Sequence, residues 1–68
     1  MVERRMTVVR KEDQGDRILL FSAPRHGLII EYYVIASHKD GESVSEGDMI
    51  CYEPAGVNFG WYLGCVQG

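Results

Sequence analysis

Residues 27–37 read GLIIEYYVIAS, and this stretch decides the predicted fold. With a period of two, one side of the stretch is wholly apolar and consists of Leu28, Ile30, Tyr32, Val34 and Ala36. The opposite side is mostly apolar as well and consists of Ile29, Glu31, Tyr33 and Ile35. β-branched and aromatic residues dominate the run, which indicates a strand. A strand that is apolar on both sides is either central in a small barrel or covered by a partner.

The length and composition predict a small soluble domain. The chain has 68 residues, so we expect one domain over residues 1–68, and chains of this size often need oligomerisation or another source of stability. The apolar fraction of 46% and the charged fraction of 25% are those of an ordinary globular domain. No apolar run reaches the roughly 20 residues of a membrane-spanning helix, and the N-terminus lacks the apolar region of a signal peptide. We therefore expect a cytoplasmic protein that does not bind membranes.

Charge is divided unevenly along the chain. All Lys and Arg residues except Lys39 precede His26, acidic residues dominate the second half, and the net charge is −3 at pH 7. Nonspecific binding of duplex nucleic acid needs a concentrated basic surface, so this distribution argues against it. Two halves of opposite sign attract each other within one fold or across a dimer.

Two further strands are predicted before the decisive stretch. Residues 4–10, RRMTVVR, alternate loosely and predict an edge strand that its charges protect. Residues 11–16, KEDQGD, predict a turn, and residues 17–23, RILLFSA, predict a second apolar strand.

The second half predicts turns and two more long strands. The pair Asp40-Gly41 predicts a hairpin turn at residues 38–42, followed by a short return strand at residues 43–45. A strand is predicted at residues 48–53, and a last strand follows at residues 59–66. The expected fold is all-β, with about five strands in an SH3-like or related small barrel or a rolled antiparallel sheet.

The last predicted strand has two unequal sides. We expect the side with the larger side chains to face the core, and it comprises Phe59, Trp61, Leu63 and Cys65. The opposite side comprises Gly60, Tyr62, Gly64 and Val66. Glycines in a strand permit bending or a close backbone approach.

Residues 46–64, EGDMICYEPAGVNFGWYLG, resemble the middle of an SH3-type barrel. In that family a Gly-Asp pair precedes one strand and an aromatic strand with a Trp follows, and here these positions are Gly47-Asp48, Trp61-Tyr62 and Gly64. The family's Trp lines a groove for proline-rich peptides. The resemblance covers about a quarter of the chain, and what it implies is a barrel-like architecture.

The sequence gives no pattern for catalysis or for a bound cofactor. A zinc site would draw on His26, His38, Cys51 and Cys65, but these residues lack the close paired spacing of structural zinc ligands. We expect both cysteines to be reduced and structural, with a disulfide as the alternative. A Cys–His nucleophilic pair would need an oxyanion loop, which the sequence does not offer, so we expect neither an enzyme nor a cofactor.

Glu31 interrupts the longest apolar run. A carboxylate among apolar side chains has a raised pKa unless it is paired, so one hypothesis gives Glu31 an acid–base or ligand-binding role. The interpretation that we prefer is structural, with Glu31 solvated or paired with an Arg such as Arg17 or Arg25.

The favoured function is a non-enzymatic protein-interaction module, a small accessory or regulatory protein. Its apolar and aromatic surface would bind a second copy in a homo-oligomer or another protein, because large aromatic side chains anchor most interfaces. The predicted partner-binding residues are Tyr33, Trp61, Tyr62, Ile29 and Ile35.

The alternative is a small barrel that binds single-stranded nucleic acid. In that hypothesis exposed aromatic rings stack on bases and basic side chains contact the backbone. The basic residues concerned are Arg4, Arg5, Arg10 and Lys11.

Overall fold

The computed structural model describes residues 3–23 and 32–65, with only the backbone for Cys65. These residues form six strands in one curled, half-barrel sheet and a single short helix, which confirms the all-β, barrel-like prediction. The elements are β1 Arg4–Thr7, β2 Arg10–Asp13, β3 Arg17–Phe21, β4 Tyr33–Ser37, α1 His38–Ser43, β5 Met49–Pro54 and β6 Phe59–Cys65.

The sheet is mixed, whereas the rolled sheet that the sequence predicts is antiparallel. The strand order is β1-β5-β6-β4-β3-β2, and every neighbouring pair is antiparallel except β4 and β6. Parallel strands need a long crossover connection. Here α1 and β5 provide it, because both lie in the chain between β4 and β6.

The two edge strands are consecutive in the chain, which gives the sheet its curl. Val8 and Val9 separate β1 from β2 and hydrogen-bond to different parts of the sheet. The amide of Val8 donates to the carbonyl of Asp48 (2.9 Å), whereas the amide of Val9 donates to the carbonyl of Phe21 (2.8 Å). The predicted strand at residues 4–10 is therefore two strands, one at each edge of the sheet. The predicted turn at 11–16 is also too long, since β2 extends to Asp13.

The core lies on the inner face of the curled sheet. It consists of the buried residues Val8, Ile18, Leu20, Val34, Ala36, Val44, Ile50 and Tyr52, with Met6, Tyr32 and Tyr62 packed against them. The pattern of residues 27–37 is confirmed where the structure describes it, because Val34 and Ala36 are buried and Tyr32 packs beside them. Leu28, Ile30 and Glu31 lie outside the described residues.

The predicted hairpin at residues 38–42 and the return strand at 43–45 are wrong. The chain forms α1 instead, with Ser37 as the N-cap whose hydroxyl accepts a hydrogen bond from the amide of Asp40 (3.2 Å). At the other end the amide of Val44 donates to the carbonyl of Gly41 (3.3 Å). Gly41 is buried against Ile18, so tertiary packing favours the helix over the turn that Asp-Gly indicates.

The predicted core side of the last strand is also wrong. Trp61 is 49% exposed and Leu63 is 48% exposed, whereas Gly60 is buried and Tyr62 packs against the core. Gly60 lies on the inner face because Tyr32 and Tyr52, whose ring centroids are 5.3 Å apart, fill the space that a larger side chain would need. Small residues opposite large ones let neighbouring strands interdigitate.

Candidate interaction face

Two rows of side chains cross the outer face of the sheet, and we call them together the outer-face ladder. The strand register sets each row, because directly paired residues point to the same side. The aromatic row runs across four strands as Arg10, Phe21, Tyr33 and Phe59. The mixed row runs across five strands as Glu12, Leu19, Ile35, Trp61 and Glu53.

The aromatic rings of the ladder form one chain of contacts. Ring centroids are 6.0 Å apart for Phe21 and Tyr33, for Tyr33 and Phe59, and for Phe59 and Trp61. The first pair is tilted at 45°, the second is nearly parallel at 20° and the third is perpendicular at 90°. These distances lie in the range of favourable aromatic pairs, and the perpendicular third pair has the edge-to-face arrangement that aromatic quadrupoles favour. The guanidinium carbon of Arg10 lies 3.9 Å from the centroid of Phe21 and closes the chain with a cation–π contact.

Exposure increases along the ladder from β3 to β6. Phe21 is 8% exposed and Leu19 is 7% exposed, whereas Tyr33 and Ile35 are half-buried. Trp61 on β6 is half exposed, and Leu63 on the same strand extends the apolar surface. The accessible part of the ladder is therefore the β4–β6 side, supported by rings already fixed against one another.

The charges on the ladder lie at the ends of its rows. Arg10 is at the β2 end of the aromatic row, Glu12 is at the β2 end of the mixed row, and Glu53 is at the β5 end of the mixed row. Between these ends both rows are apolar or aromatic. The face thus has a hydrophobic centre with charged margins, the arrangement that protein interfaces commonly show.

The structure brings three of the five predicted partner-binding residues together. Tyr33, Ile35 and Trp61 lie on the ladder. Tyr62 does not, because it packs against the core on the opposite face. Ile29 lies outside the described residues. The sequence reasoning missed Phe21 and Phe59. The alternation of residues in each strand indicates which side of the strand they occupy, but their proximity to Tyr33 depends on the strand register.

The four basic residues of the nucleic-acid hypothesis do not form one patch. Arg10 is on the outer face, and Arg5 is there too but on the strand at the other sheet edge, next to Cys51. Arg4 and Lys11 share registers with Tyr52 and Leu20, so they leave the sheet on its inner side. Lys11 binds backbone carbonyls, with its Nζ atom 3.0 Å from the oxygen of Gly41 and 2.6 Å from that of Val44.

The positions of the described His, Cys, Asp and Glu side chains bear on the hypotheses of catalysis and metal binding. No group of three or more His, Cys, Asp or Glu within residues 3–23 and 32–64 is arranged to hold a metal ion. His38 contacts carboxylates, with Nε2 3.2 Å from Asp13 and Nδ1 3.6 Å from Glu42. A hydrogen bond with Glu3 raises the pKa of the Cys51 thiol, which keeps it protonated and weakly nucleophilic at neutral pH. His26 and the side chain of Cys65 lie outside the described part of the chain.

Comparison with known proteins gives no relative for this fold. No protein-family model, no curated protein and no solved structure matches the chain. In the portion of the chain described by the structure, no helix has the length and apolar character needed to cross a membrane.

Proposed function

We propose that this protein is a non-enzymatic interaction module that binds a protein partner through the outer-face ladder. The observation that carries the proposal is the chain of ring contacts that leads from the buried Phe21 to the half-exposed Trp61. Aromatic side chains held rigidly beneath an exposed Trp lose little conformational entropy on binding. Trp and Tyr are also the side chains that most often dominate the energy of an interface.

The electrostatics of the face favour a protein over a polyanion. The mixed row ends in Glu12 and Glu53, and the net charge of the chain is −3. A partner that covers the apolar centre and leaves the charged ends at the rim matches this distribution. A nucleic-acid backbone that followed the ladder would approach the carboxylates of Glu12 and Glu53 as well as the guanidinium of Arg10.

Affinity capture from a lysate of the source cells tests the module, and each variant is captured both with and without nuclease treatment. The informative variant is Trp61→Ala, which removes the most exposed ring of the ladder. The matched control is Val57→Ala, because Val57 is 94% exposed and apolar but lies in the loop between β5 and β6. We expect the wild type and Val57→Ala to retain the same protein, and Trp61→Ala to lose it while keeping the same melting temperature.

Equal retention by Trp61→Ala and the wild type would contradict the assignment of the ladder as the binding face. Capture of protein only in the absence of nuclease would contradict the assignment of a protein as the partner.

The second candidate function is the binding of single-stranded nucleic acid, and the topology favours it. The fold resembles the oligonucleotide-binding barrel more than an SH3 barrel in two respects. The chain bends at Val8-Val9 so that the consecutive strands β1 and β2 form opposite edges of the sheet, and β4 and β6 are parallel. Barrels of that type bind their ligands on the face of the second and third strands, which corresponds here to β3 and β4 with Phe21 and Tyr33. Bases stack on accessible rings, and of these two rings Tyr33 is the accessible one, because it is half-buried whereas Phe21 is buried.

Salt dependence distinguishes the two functions. Nucleic-acid binding weakens steeply as the salt concentration rises, because it releases condensed counterions. An apolar protein interface does not show that slope. Titration of a fluorescent single-stranded oligonucleotide at low and high salt, with wild type and Arg10→Gln, measures it directly. Binding that is steep in salt and reduced by Arg10→Gln would move this candidate to first place.

A further inference from the structure

We propose that the protein partner of the outer-face ladder contributes an arginine, whose guanidinium stacks on the indole of Trp61 and pairs with the carboxylate of Glu53. The inference rests on the proposed interaction function and specifies the chemistry of the partner at the most exposed ring of the ladder. It is carried by the position of Glu53, which lies directly opposite Trp61 in the register of β5 and β6.

The carboxylate of Glu53 has no partner among the described residues. It forms neither a hydrogen bond nor an ion pair with them, although Glu53 is half-buried. Arg5 on the neighbouring strand β1 lies opposite Cys51, and its side chain hydrogen-bonds to the sulfur of that residue. A partly buried carboxylate without a partner favours the approach of a cation from outside the chain.

The indole of Trp61 provides a surface for a flat cation. Trp61 is 49% exposed, and its ring is perpendicular to that of Phe59, with the two centroids 6.0 Å apart. In a perpendicular contact Phe59 covers at most one face of the indole. The face of an indole is negative and attracts cations, and a guanidinium is planar and more weakly hydrated than an ammonium group. An arginine side chain therefore matches this ring better than a lysine does.

One guanidinium can contact both groups at once. The side chains of Glu53 and Trp61 leave the sheet on the same side, and directly opposite residues have Cβ atoms about 5 Å apart. The face of a guanidinium stacks on a ring while its N–H groups, which lie in its plane, donate to a carboxylate. Leu63, which is 48% exposed and lies on the same strand as Trp61, provides an apolar contact for the aliphatic part of the arginine.

The other carboxylate of the mixed row does not form such a site. Glu12 lies at the β2 end of the row, where its carboxylate accepts a hydrogen bond from the side-chain amide of Gln14 (3.2 Å). Its neighbour in the row is Leu19, which is aliphatic and buried. Of the two carboxylates in the ladder, Glu53 alone is therefore paired with an exposed ring.

The fluorescence of Trp61 reports directly on the proposed contact, because Trp61 is the only tryptophan of the chain. The probe is an acetylated and amidated peptide with one arginine between two leucines. The control peptide carries citrulline, which has the shape of arginine without its charge. We expect the arginine peptide to change the fluorescence saturably, and the citrulline peptide to bind about tenfold more weakly because it loses both the cation–π contact and the ion pair.

Substitution of Glu53 tests the carboxylate in the same titration. Glu53→Gln keeps the size of the side chain and removes its charge, so the arginine peptide should bind about fivefold more weakly. Glu46→Gln makes the same change in the exposed turn before β5 and should leave the dissociation constant unchanged. The melting temperature of each variant, measured in parallel, shows that the fold is retained.

Capture from the lysate separates a failure of this inference from a failure of the interaction module. Glu53→Lys should lose the protein that the wild type retains, because two cations would then meet at the site, whereas Glu46→Lys should retain it. Retention by Glu53→Lys of a protein that Trp61→Ala loses would overturn the arginine contact and leave the interaction module standing.

The peptide titrations can overturn the proposal independently of any captured protein. It is contradicted by the absence of a saturable fluorescence change with the arginine peptide. Equal dissociation constants for the arginine and citrulline peptides would contradict the guanidinium, and equal constants for the wild type and Glu53→Gln would contradict the role of the carboxylate.

Discussion

The Nζ atom of Lys11 lies 2.6 Å from the carbonyl oxygen of Val44, which joins an edge strand to the residue that ends α1. The same ammonium group reaches the carbonyl of Gly41 at 3.0 Å. Carbonyl groups at the C-terminal end of a helix lack intrahelical donors, and a cation there both satisfies them and opposes the helix dipole. A six-residue helix is far too short to be stable alone, so this contact helps to hold it on the sheet.

Removing this ammonium group should destabilise the fold. Lys11→Met keeps much of the aliphatic stem and loses both hydrogen bonds, and we expect the free energy of unfolding to fall by about 1 kcal/mol because the site is only partly buried. The measurement is urea unfolding followed by circular dichroism. Lys39→Met on the exposed surface of the same helix is the control and should change little. Equal effects of the two substitutions would show that the Lys11 contacts contribute nothing specific.

Gly41 should reverse the usual effect of replacing glycine by alanine in a helix. That change normally stabilises a helix interior by about 0.5–1 kcal/mol. In this fold the added methyl group would overlap the side chain of Ile18, so we expect Gly41→Ala to lower the free energy of unfolding by about 1–3 kcal/mol. Thermal and urea unfolding provide the measurement, with Lys39→Ala as the solvent-exposed control. A variant more stable than the wild type would contradict the close packing of α1 on β3.

The helix shows why local sequence was insufficient at one place in this chain. Asp40-Gly41 is a strong hairpin signal by itself, and it predicted a turn. The competing signal was the spacing of Ser37 and Asp40, which is typical of a helix N-terminus and which the structure uses as the cap. The contacts of Gly41 with Ile18 and with Lys11 decide between the two, and both partners lie more than twenty residues away in the chain.

The outer-face ladder was predictable in part. Alternation in residues 32–37 correctly separated Tyr33 and Ile35 from the buried Val34 and Ala36. The orientation of β6 was predicted the wrong way round, because apolar size alone suggested that Trp61 belongs inside. The sequence does not reveal that Tyr32 and Tyr52 need the space beside Gly60. The proximity of Phe21 and Phe59 to Tyr33 depends on register across three strands, two of which are parallel.

Asp13 should make the fold sensitive to acid. Its carboxylate accepts a hydrogen bond from the amide of Gly15 at 2.8 Å, and this bond, with the nearby ring of His38, holds the pKa of Asp13 below its ordinary value of 3.8. A group whose pKa is lower in the folded state stabilises that state above its unfolded pKa, and the contribution is lost as the pH falls through the folded pKa. Asp13→Asn should therefore lose less stability than the wild type between neutral pH and pH values below 3.8.

The control for this acid effect is Asp16→Asn in the same turn, where Asp16 is exposed. Denaturant midpoints measured across the acidic range for the three proteins provide the comparison. We expect Asp13→Asn to start lower at neutral pH and to converge with the wild type in acid, and Asp16→Asn shows what the loss of another carboxylate from this turn does. Parallel curves for all three would show that the hydrogen bond from Gly15 does not stabilise the turn through the ionised carboxylate.

Tyr32 should be replaceable by Phe with a gain in stability. Its hydroxyl group is buried beside Gly60 and finds no hydrogen-bond partner among the described residues. A buried polar group without a partner costs free energy, so we expect Tyr32→Phe to raise the free energy of unfolding by about 1 kcal/mol. Tyr33→Phe makes the same chemical change on the outer face and should leave stability nearly unchanged. A loss of stability in Tyr32→Phe alone would show that the hydroxyl is bonded in solution.

The same hydroxyl predicts a difference at alkaline pH. Burial, with the neighbouring Tyr52, raises the pKa of Tyr32 above its ordinary value of 10.0. As the pH rises past 10.0, the unfolded chain therefore loses this proton before the folded protein does, and the folded state becomes less stable. Tyr32→Phe removes that contribution, so its advantage over the wild type should widen above pH 10.0 when unfolding is measured across the alkaline range. Tyr33→Phe makes the same chemical change on the outer face, so comparison with it shows whether the widening is specific to Tyr32.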